Sequence, residues 1–131
     1  NTVTTVEYSV PKFTNHKRLT CIHWDDFIKC NDMYDAVISY SSIEHSGLGR
    51  YGEPLDPTGD IDTMNIIKRK LKPKGICLLA VPRDSVDYIA WNAHRVYGPI
   101  RWPMLIHQFN NIKQYPTPGD QPLTVLVNNE Q

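Results

Sequence analysis

The stretch Tyr34-Asp-Ala-Val-Ile-Ser-Tyr-Ser-Ser-Ile-Glu-His-Ser-Gly-Leu-Gly-Arg-Tyr-Gly-Glu-Pro-Leu-Asp-Pro-Thr-Gly-Asp60 decides how the chain is read. It opens with Ala36, Val37 and Ile38, a continuous apolar run. Such runs mark strands covered on both faces, as in the parallel sheets of α/β proteins. From Ser41 to Gly59 no helix or strand pattern follows. Loops of that length inside a compact domain serve binding or catalysis, or are disordered. The density of Glu44, His45, Arg50, Tyr51, Glu53 and Asp56, groups that titrate, donate or coordinate, favours a functional loop.

Downstream, Ile61, Met64, Ile67 and Leu71 recur at helical spacing, which predicts a helix from Asp60 to Leu71 with Asp60 as its N-cap. Lys68-Arg69-Lys70 fall in its last turn, where the helix dipole favours cations on a solvated face. Pro73 and Gly75 end it, and Ile76-Cys-Leu-Leu-Ala-Val-Pro82 is a second apolar strand. Strand, loop, helix and strand form a βαβ unit with parallel strands. Arg83 to Ala93 is expected to hold a helical turn, and Asn92 to Pro103 an ordered loop. Phe109–Tyr115 and Leu123–Val127 read as two antiparallel strands joined by the turn-forming Pro116-Thr-Pro-Gly-Asp-Gln-Pro122.

Upstream, Thr2 to Tyr8 is rich in β-branched residues and reads as a strand, with Glu7 near its carboxyl end. A carboxylate there can accept hydrogen bonds from a ribose diol, or can simply be an exposed acid. Val10 to Arg18 is a polar connection in which a short helix can form, and Leu19 to His23 is the next strand. Asp25 and Asp26, flanked by Trp24 and Phe27, can either bind an adenine amino group beside an aromatic wall or cap a short helix.

A chain of 131 residues is enough for one domain with its own core. Its 14 basic and 14 acidic residues cancel, so no global field steers it toward nucleic acid or anionic membrane. No apolar run approaches the ~20 residues that span a bilayer, and no signal peptide opens the chain. Cys21, Cys30 and Cys77 cannot all pair and form no CxxC, which fits reduced thiols in a soluble, by default cytoplasmic, protein. Because the chain begins Asn-Thr-Val, it is expected to be processed or a piece of a longer protein.

Gly47-Leu-Gly-Arg-Tyr-Gly52 spells GxGxxG, but the strand ends several residues earlier and Pro54 and Pro57 stand where the phosphate-binding helix should begin. The glycines are expected to bend a loop sharply or to let its backbone approach a ligand. His45 with Glu44, and His23 with Asp25, lack zinc-ligand spacing, so no metal is expected. Ser41 and Ser42 lack the Gly-x-Ser-x-Gly elbow of serine hydrolases.

Val6-Glu-Tyr8, Tyr34-Asp-Ala-Val-Ile-Ser-Tyr40, Leu71-Lys-Pro-Lys-Gly-Ile-Cys-Leu-Leu-Ala-Val-Pro82 and the terminal strand pair together resemble the second half of a class I S-adenosylmethionine-dependent methyltransferase. Leu71-Lys-Pro-Lys-Gly75 is similar to the Leu-Lys-Pro-Gly-Gly before strand five of that superfamily. More narrowly, Tyr40-Ser-Ser-Ile-Glu-His-Ser-Gly-Leu-Gly-Arg-Tyr-Gly52 and Asn92-Ala-His-Arg-Val-Tyr-Gly-Pro-Ile-Arg101 resemble the methyltransferase-like family catalogued as domain of unknown function 268. The resemblance implies a three-layer, Rossmann-like α/β sheet, mostly parallel with an antiparallel C-terminal strand pair. It implies S-adenosylmethionine as cofactor, with Glu7 on the ribose, Asp25 or Asp26 on the adenine, and Tyr40, Ser41 and Ser42 flanking the methyl group. Glu44 and His45 are the candidate bases, and Arg50, Tyr51, His94 and Arg95 the candidate contacts to a small-molecule or glycan acceptor.

One departure from the superfamily follows. Glu7 occupies the second-strand position, so the first strand, its cofactor loop and its helix would precede Asn1, and the chain reads as the C-terminal two-thirds of the full fold. Two other readings stand beside methyl transfer: an inactive binding module on the same sheet, and an enzyme that uses Glu44 and His45 without this cofactor. On each of them the Glu44–Tyr51 loop and the Asn92–Arg101 segment, which both follow parallel strands, are expected to meet. Glu44 or Glu53 is then expected to pair with Arg95 or Arg101.

Overall fold

The structure, a computed structural model, describes residues 1–11 and 16–129, and of residues 111 and 112 the backbone alone. The short helix expected between Val10 and Arg18 lies in part outside the described residues. The chain divides into two compact units, Asn1–Asp32 and Met33–Gln131.

In the first unit, strand β1 (Val3–Glu7) pairs in parallel with β2 (Leu19–His23), so that Glu7 and His23 stand side by side at the carboxyl edge. Helix α1 (Trp24–Lys29) starts at the next residue. Its cap is His23 rather than an aspartate: the imidazole Nδ1 accepts from the Asp25 N–H at 3.2 Å. Asp25 and Asp26 are therefore left exposed in the first turn, where the dipole favours them. Phe27 is buried, with its ring centroid 5.6 Å from that of Trp24.

The second unit is a four-stranded sheet with helices and a hairpin. Strands β3 (Tyr34–Tyr40) and β4 (Leu71–Ala80) run parallel and are linked by helix α2 (Gly59–Lys70), the expected βαβ unit. The hairpin β5 (Tyr88–Ala90) and β6 (His94–Val96) follows, then helix α3 (Arg101–Ile106) and the antiparallel strands β7 (Phe109–Tyr115) and β8 (Leu123–Asn128). The strand order is β3-β4-β8-β7, with β8 antiparallel to β4. The helical turn expected over Arg83 to Ala93 is replaced by β5, and the loop expected over Asn92 to Pro103 contains β6 and the first turn of α3.

The core lies on one face of this sheet. Cys77, Leu79 and Leu126 pack there with Met64 and Ile67 of α2, Leu105 of α3, and Ile43, Tyr97 and Trp102. Each such side chain contributes on the order of 1.5–3 kcal/mol through burial. Cys77 is fully buried, which pushes its thiol pKa up to about 12. Strand β4 begins five residues earlier than expected: its pairing with β3 jumps from Tyr34–Leu71 to Ala36–Ile76, and Lys72-Pro-Lys-Gly75 is the irregularity. A proline is tolerated in a strand at such a bulge.

Two expectations fail against burial. The apolar run of β3 is covered on one face only: Val37 packs on the core, while Ile38 is 73% and Tyr40 65% exposed. They share the open face with Leu78 and Val125 through the pairing register. Alternation of side chains explains why the run alone misleads, since it shows that both faces are apolar and not that both are covered. The basic triplet is not a uniformly solvated face either, because Lys70 is buried while Arg69 is exposed. No described helix is long and apolar enough to cross a membrane.

Candidate functional site

Strand β3 ends in a turn that few residues accept. Ser41 has φ of 49°, a left-handed conformation, while its N–H still reaches the Ala80 carbonyl at 2.9 Å. A single 3₁₀ turn over Ile43–His45 follows, pinned to the core by Ile43. This turn carries Glu44 inward until only 1% of it is exposed. The Ser41 hydroxyl donates to Glu44 Oε1 at 2.9 Å, and Glu44 Oε2 has no hydrogen-bond partner among the described residues. A buried polar atom left unpaired costs about 1–3 kcal/mol, so its retention calls for a reason.

His45 supplies the other half of the arrangement. Its Nδ1 lies 2.7 Å from the Ala93 carbonyl. A carbonyl only accepts, so Nδ1 carries a proton. The other ring nitrogen, Nε2, stands 3.7 Å from Glu44 Oε1. His94 Nδ1 is tied in the same way to the Arg95 carbonyl at 3.0 Å, and the rings of His94 and Tyr51 each meet the His45 ring edge-on at 6.0 Å. The Arg50 guanidinium lies over the Tyr51 ring at 5.7 Å and donates to the Ala93 carbonyl at 3.4 Å.

The loop and the hairpin segment therefore meet as expected, but with a different carboxylate between them. Asp60, fully buried, accepts from Arg101 Nε at 2.9 Å and Nη2 at 2.6 Å and from the Tyr97 hydroxyl at 2.9 Å, with Arg95 Nε at 3.7 Å. Glu53, one of the expected partners, instead accepts from the N–H groups of Gly49 at 3.1 Å and Tyr51 at 2.9 Å. Asp60 is also not the helix cap. Thr58 occupies that position, and Asp60 turns inward from the first turn of α2. Burial works to raise the pKa of Asp60, yet the Arg101 hydrogen bonds, both guanidinium charges and the Tyr97 hydroxyl hold it below the ordinary carboxylate value. Burial, followed by the Asp60 charge, pushes the Tyr97 phenol up, and the Asp60 hydrogen bond raises Arg101.

Arg95, 2% exposed, holds the loop from below, donating to the carbonyls of Ser46 at 2.5 Å and Asp56 at 3.2 Å. Its guanidinium is engaged by Asp60 and by loop carbonyls of the protein itself. Gly47, Gly49 and Gly52 all have positive φ, and a Cβ on Gly47 would lie 2.3 Å from the Asp56 carbonyl oxygen. The GxGxxG lettering thus serves a tight loop closing on its own backbone.

Of the sequence-derived candidates, Ser41, Glu44, His45, Arg50, Tyr51 and His94 gather in this cluster. Ser42 is exposed at the loop entry, and Tyr40 faces out from the open side of the sheet. Glu7, Asp25 and Asp26 are exposed in the first unit, beside Tyr8 and Trp24, whose ring centroids lie 6.2 Å apart. Sequence reasoning missed Asp60 and Tyr97 as partners. A faint signal was present in Thr58, another cap-type residue two positions before Asp60, although its side chain makes no capping hydrogen bond. Among the described residues no group of three or more His, Cys, Asp or Glu is arranged to hold a metal ion.

The sequence pattern of the family described as "Caenorhabditis protein of unknown function, DUF268" matches residues 1–131. No curated protein sequence matches. Among solved structures, the chain is similar to the N-methyltransferase NodS from Bradyrhizobium japonicum WM9 in complex with S-adenosyl-L-homocysteine. The TM-score is 0.68 at 13% identity, over 98% of this chain and 67% of that one. A second NodS structure gives a TM-score of 0.66 at 12% identity, over 98% and 74%. At such identities the likeness concerns the fold: an α/β fold similar to a methyltransferase.

Proposed function

The chain belongs to the DUF268 family, and we propose that it is an S-adenosylmethionine-dependent methyltransferase-like domain acting on a small-molecule or glycan acceptor. On this reading the sheet is the three-layer, Rossmann-like sheet of class I methyltransferases without its first strand and helix. What supports the sheet type is the parallel pairing of β1 with β2 and of β3 with β4, followed by the antiparallel pair β7 and β8.

The residues of the first unit fit a nucleoside. Glu7 ends β1 at the same edge where Asp25 and Asp26 open α1, so exposed carboxylates for a ribose diol and an adenine amino group lie beside the aromatic surface of Tyr8 and Trp24. The cofactor, when bound, supplies an electrophilic methyl group on a sulfonium. Tyr40, Ser41 and Ser42, at the carboxyl end of β3, flank that group in the proposal. Methyl transfer depends mainly on aligning the acceptor's lone pair, and needs a base where the acceptor atom carries a proton. The observation that carries the reading is the Glu44–His45 pair: the His45 Nε2 atom and a buried carboxyl group 3.7 Å apart, oriented by Ala93 and Ser41, are on this proposal the place for that proton. Arg50, Tyr51 and His94 surround it as acceptor contacts, and Arg95 positions the loop.

Calorimetric titration with S-adenosyl-L-homocysteine tests the reading. Saturable heat is expected, and Glu7→Ala should weaken binding about tenfold or more, the scale of losing hydrogen bonds to a charged group. No heat at millimolar cofactor would overturn it.

A further inference from the structure

The loop after β3 and the β5–β6 hairpin also line an open cleft of about 420 Å³, to which the loop contributes Leu48, Leu55 and Pro57 and the hairpin Ile89 and Val96. Charged side chains reach it, but each is already engaged. Arg95 and Arg101 are bound to Asp60 and to loop carbonyls. Asp87 accepts from the N–H groups of Gly98, Ile100 and Arg101, and Asp56 accepts from Thr58. A ligand therefore meets apolar side chains rather than available charges. Two of them are held out at the rim, Leu55 at 80% and Ile89 at 58% exposure. The volume falls within the ~300–1,000 Å³ range of small-molecule sites.

We infer that this cleft binds the apolar body of an uncharged small molecule of fused-ring size, in contact with Leu55 and Ile89. The inference rests on the second unit alone and does not depend on cofactor binding. The test uses the full chain and the uncharged naphthalene dye prodan, followed by its emission and by the methyl resonances of isoleucine, leucine and valine. A saturable blue shift is expected, with the resonances of Leu48, Leu55, Ile89 and Val96 perturbed. The double variant Leu55→Asp/Ile89→Asp should weaken binding about tenfold or more, because it replaces apolar contact area with carboxylates. Both positions are exposed, so the unfolding midpoint should hold; if it falls, the mapping on the unaltered chain decides. Absence of saturable binding would overturn the inference, as would binding indifferent to the double variant. Perturbations confined to Ile38 and Leu78, on the open face of the sheet, would overturn it too.

Discussion

Two carboxylates are buried at the ends of one loop, and they are treated in opposite ways. Asp60 faces two guanidinium groups and a phenol, and both of its oxygens accept hydrogen bonds. Glu44, just as deeply buried, receives one serine hydroxyl and keeps an oxygen without a partner. A buried charge is tolerable when its field is neutralised on the spot, and Asp60 meets that condition. Glu44 has no guanidinium bonded to its side chain, only a serine hydroxyl and the imidazole 3.7 Å away. The contrast separates a staple, which fixes where the loop sits, from a group with an oxygen left open.

The largest effect is expected at the staple. Asp60→Asn removes the charge that Arg95 and Arg101 enclose and should cost about 3–5 kcal/mol of unfolding free energy, measured by urea denaturation. The same pairing sets an acid limb. Because the folded pKa of Asp60 lies below the unfolded value of about 3.9, its contribution is complete above that pH and is lost as pH falls through the folded value. Asp60→Asn should flatten that limb, and a limb of unchanged slope in the variant would place the acid sensitivity elsewhere. Next in size, Tyr97→Phe removes one donor from Asp60 while both arginines remain, and should cost about 1.5–3 kcal/mol.

The smallest change should come at the other carboxylate. Glu44→Gln keeps the shape and the Ser41 contact, and it removes no guanidinium bond, because the Glu44 side chain makes none. Its effect on stability should therefore stay under about 1 kcal/mol. A loss as large as that of Asp60→Asn would erase the distinction between the two acids and make Glu44 a second staple.

Much of the architecture was legible from local pattern. The strand at Leu19–His23, the helix before Leu71 and the strands at Phe109–Tyr115 and near Leu123–Val127 are written in apolar periodicity, and the parallel β3–β4 pair follows from βαβ chirality and spacing. The candidate cluster was legible in part, because a long loop dense in His, Arg and Tyr signals chemistry whatever its conformation.

Burial was not legible. Ile38 and Val37 are equally apolar, and only the placement of α2, α3 and the loop decides that Val37 packs on the core while Ile38 faces out. Pairing was not legible either. Asp60, Glu44 and Glu53 are chemically alike along the chain, yet only Asp60 projects from the first turn of a helix toward two arginines some 35 and 41 residues away. Periodicity is set by each residue's neighbours in sequence, so the chain itself carries it. The partner of a buried charge is set by which segments the fold brings within a few ångströms, and that information exists only in the assembled tertiary structure.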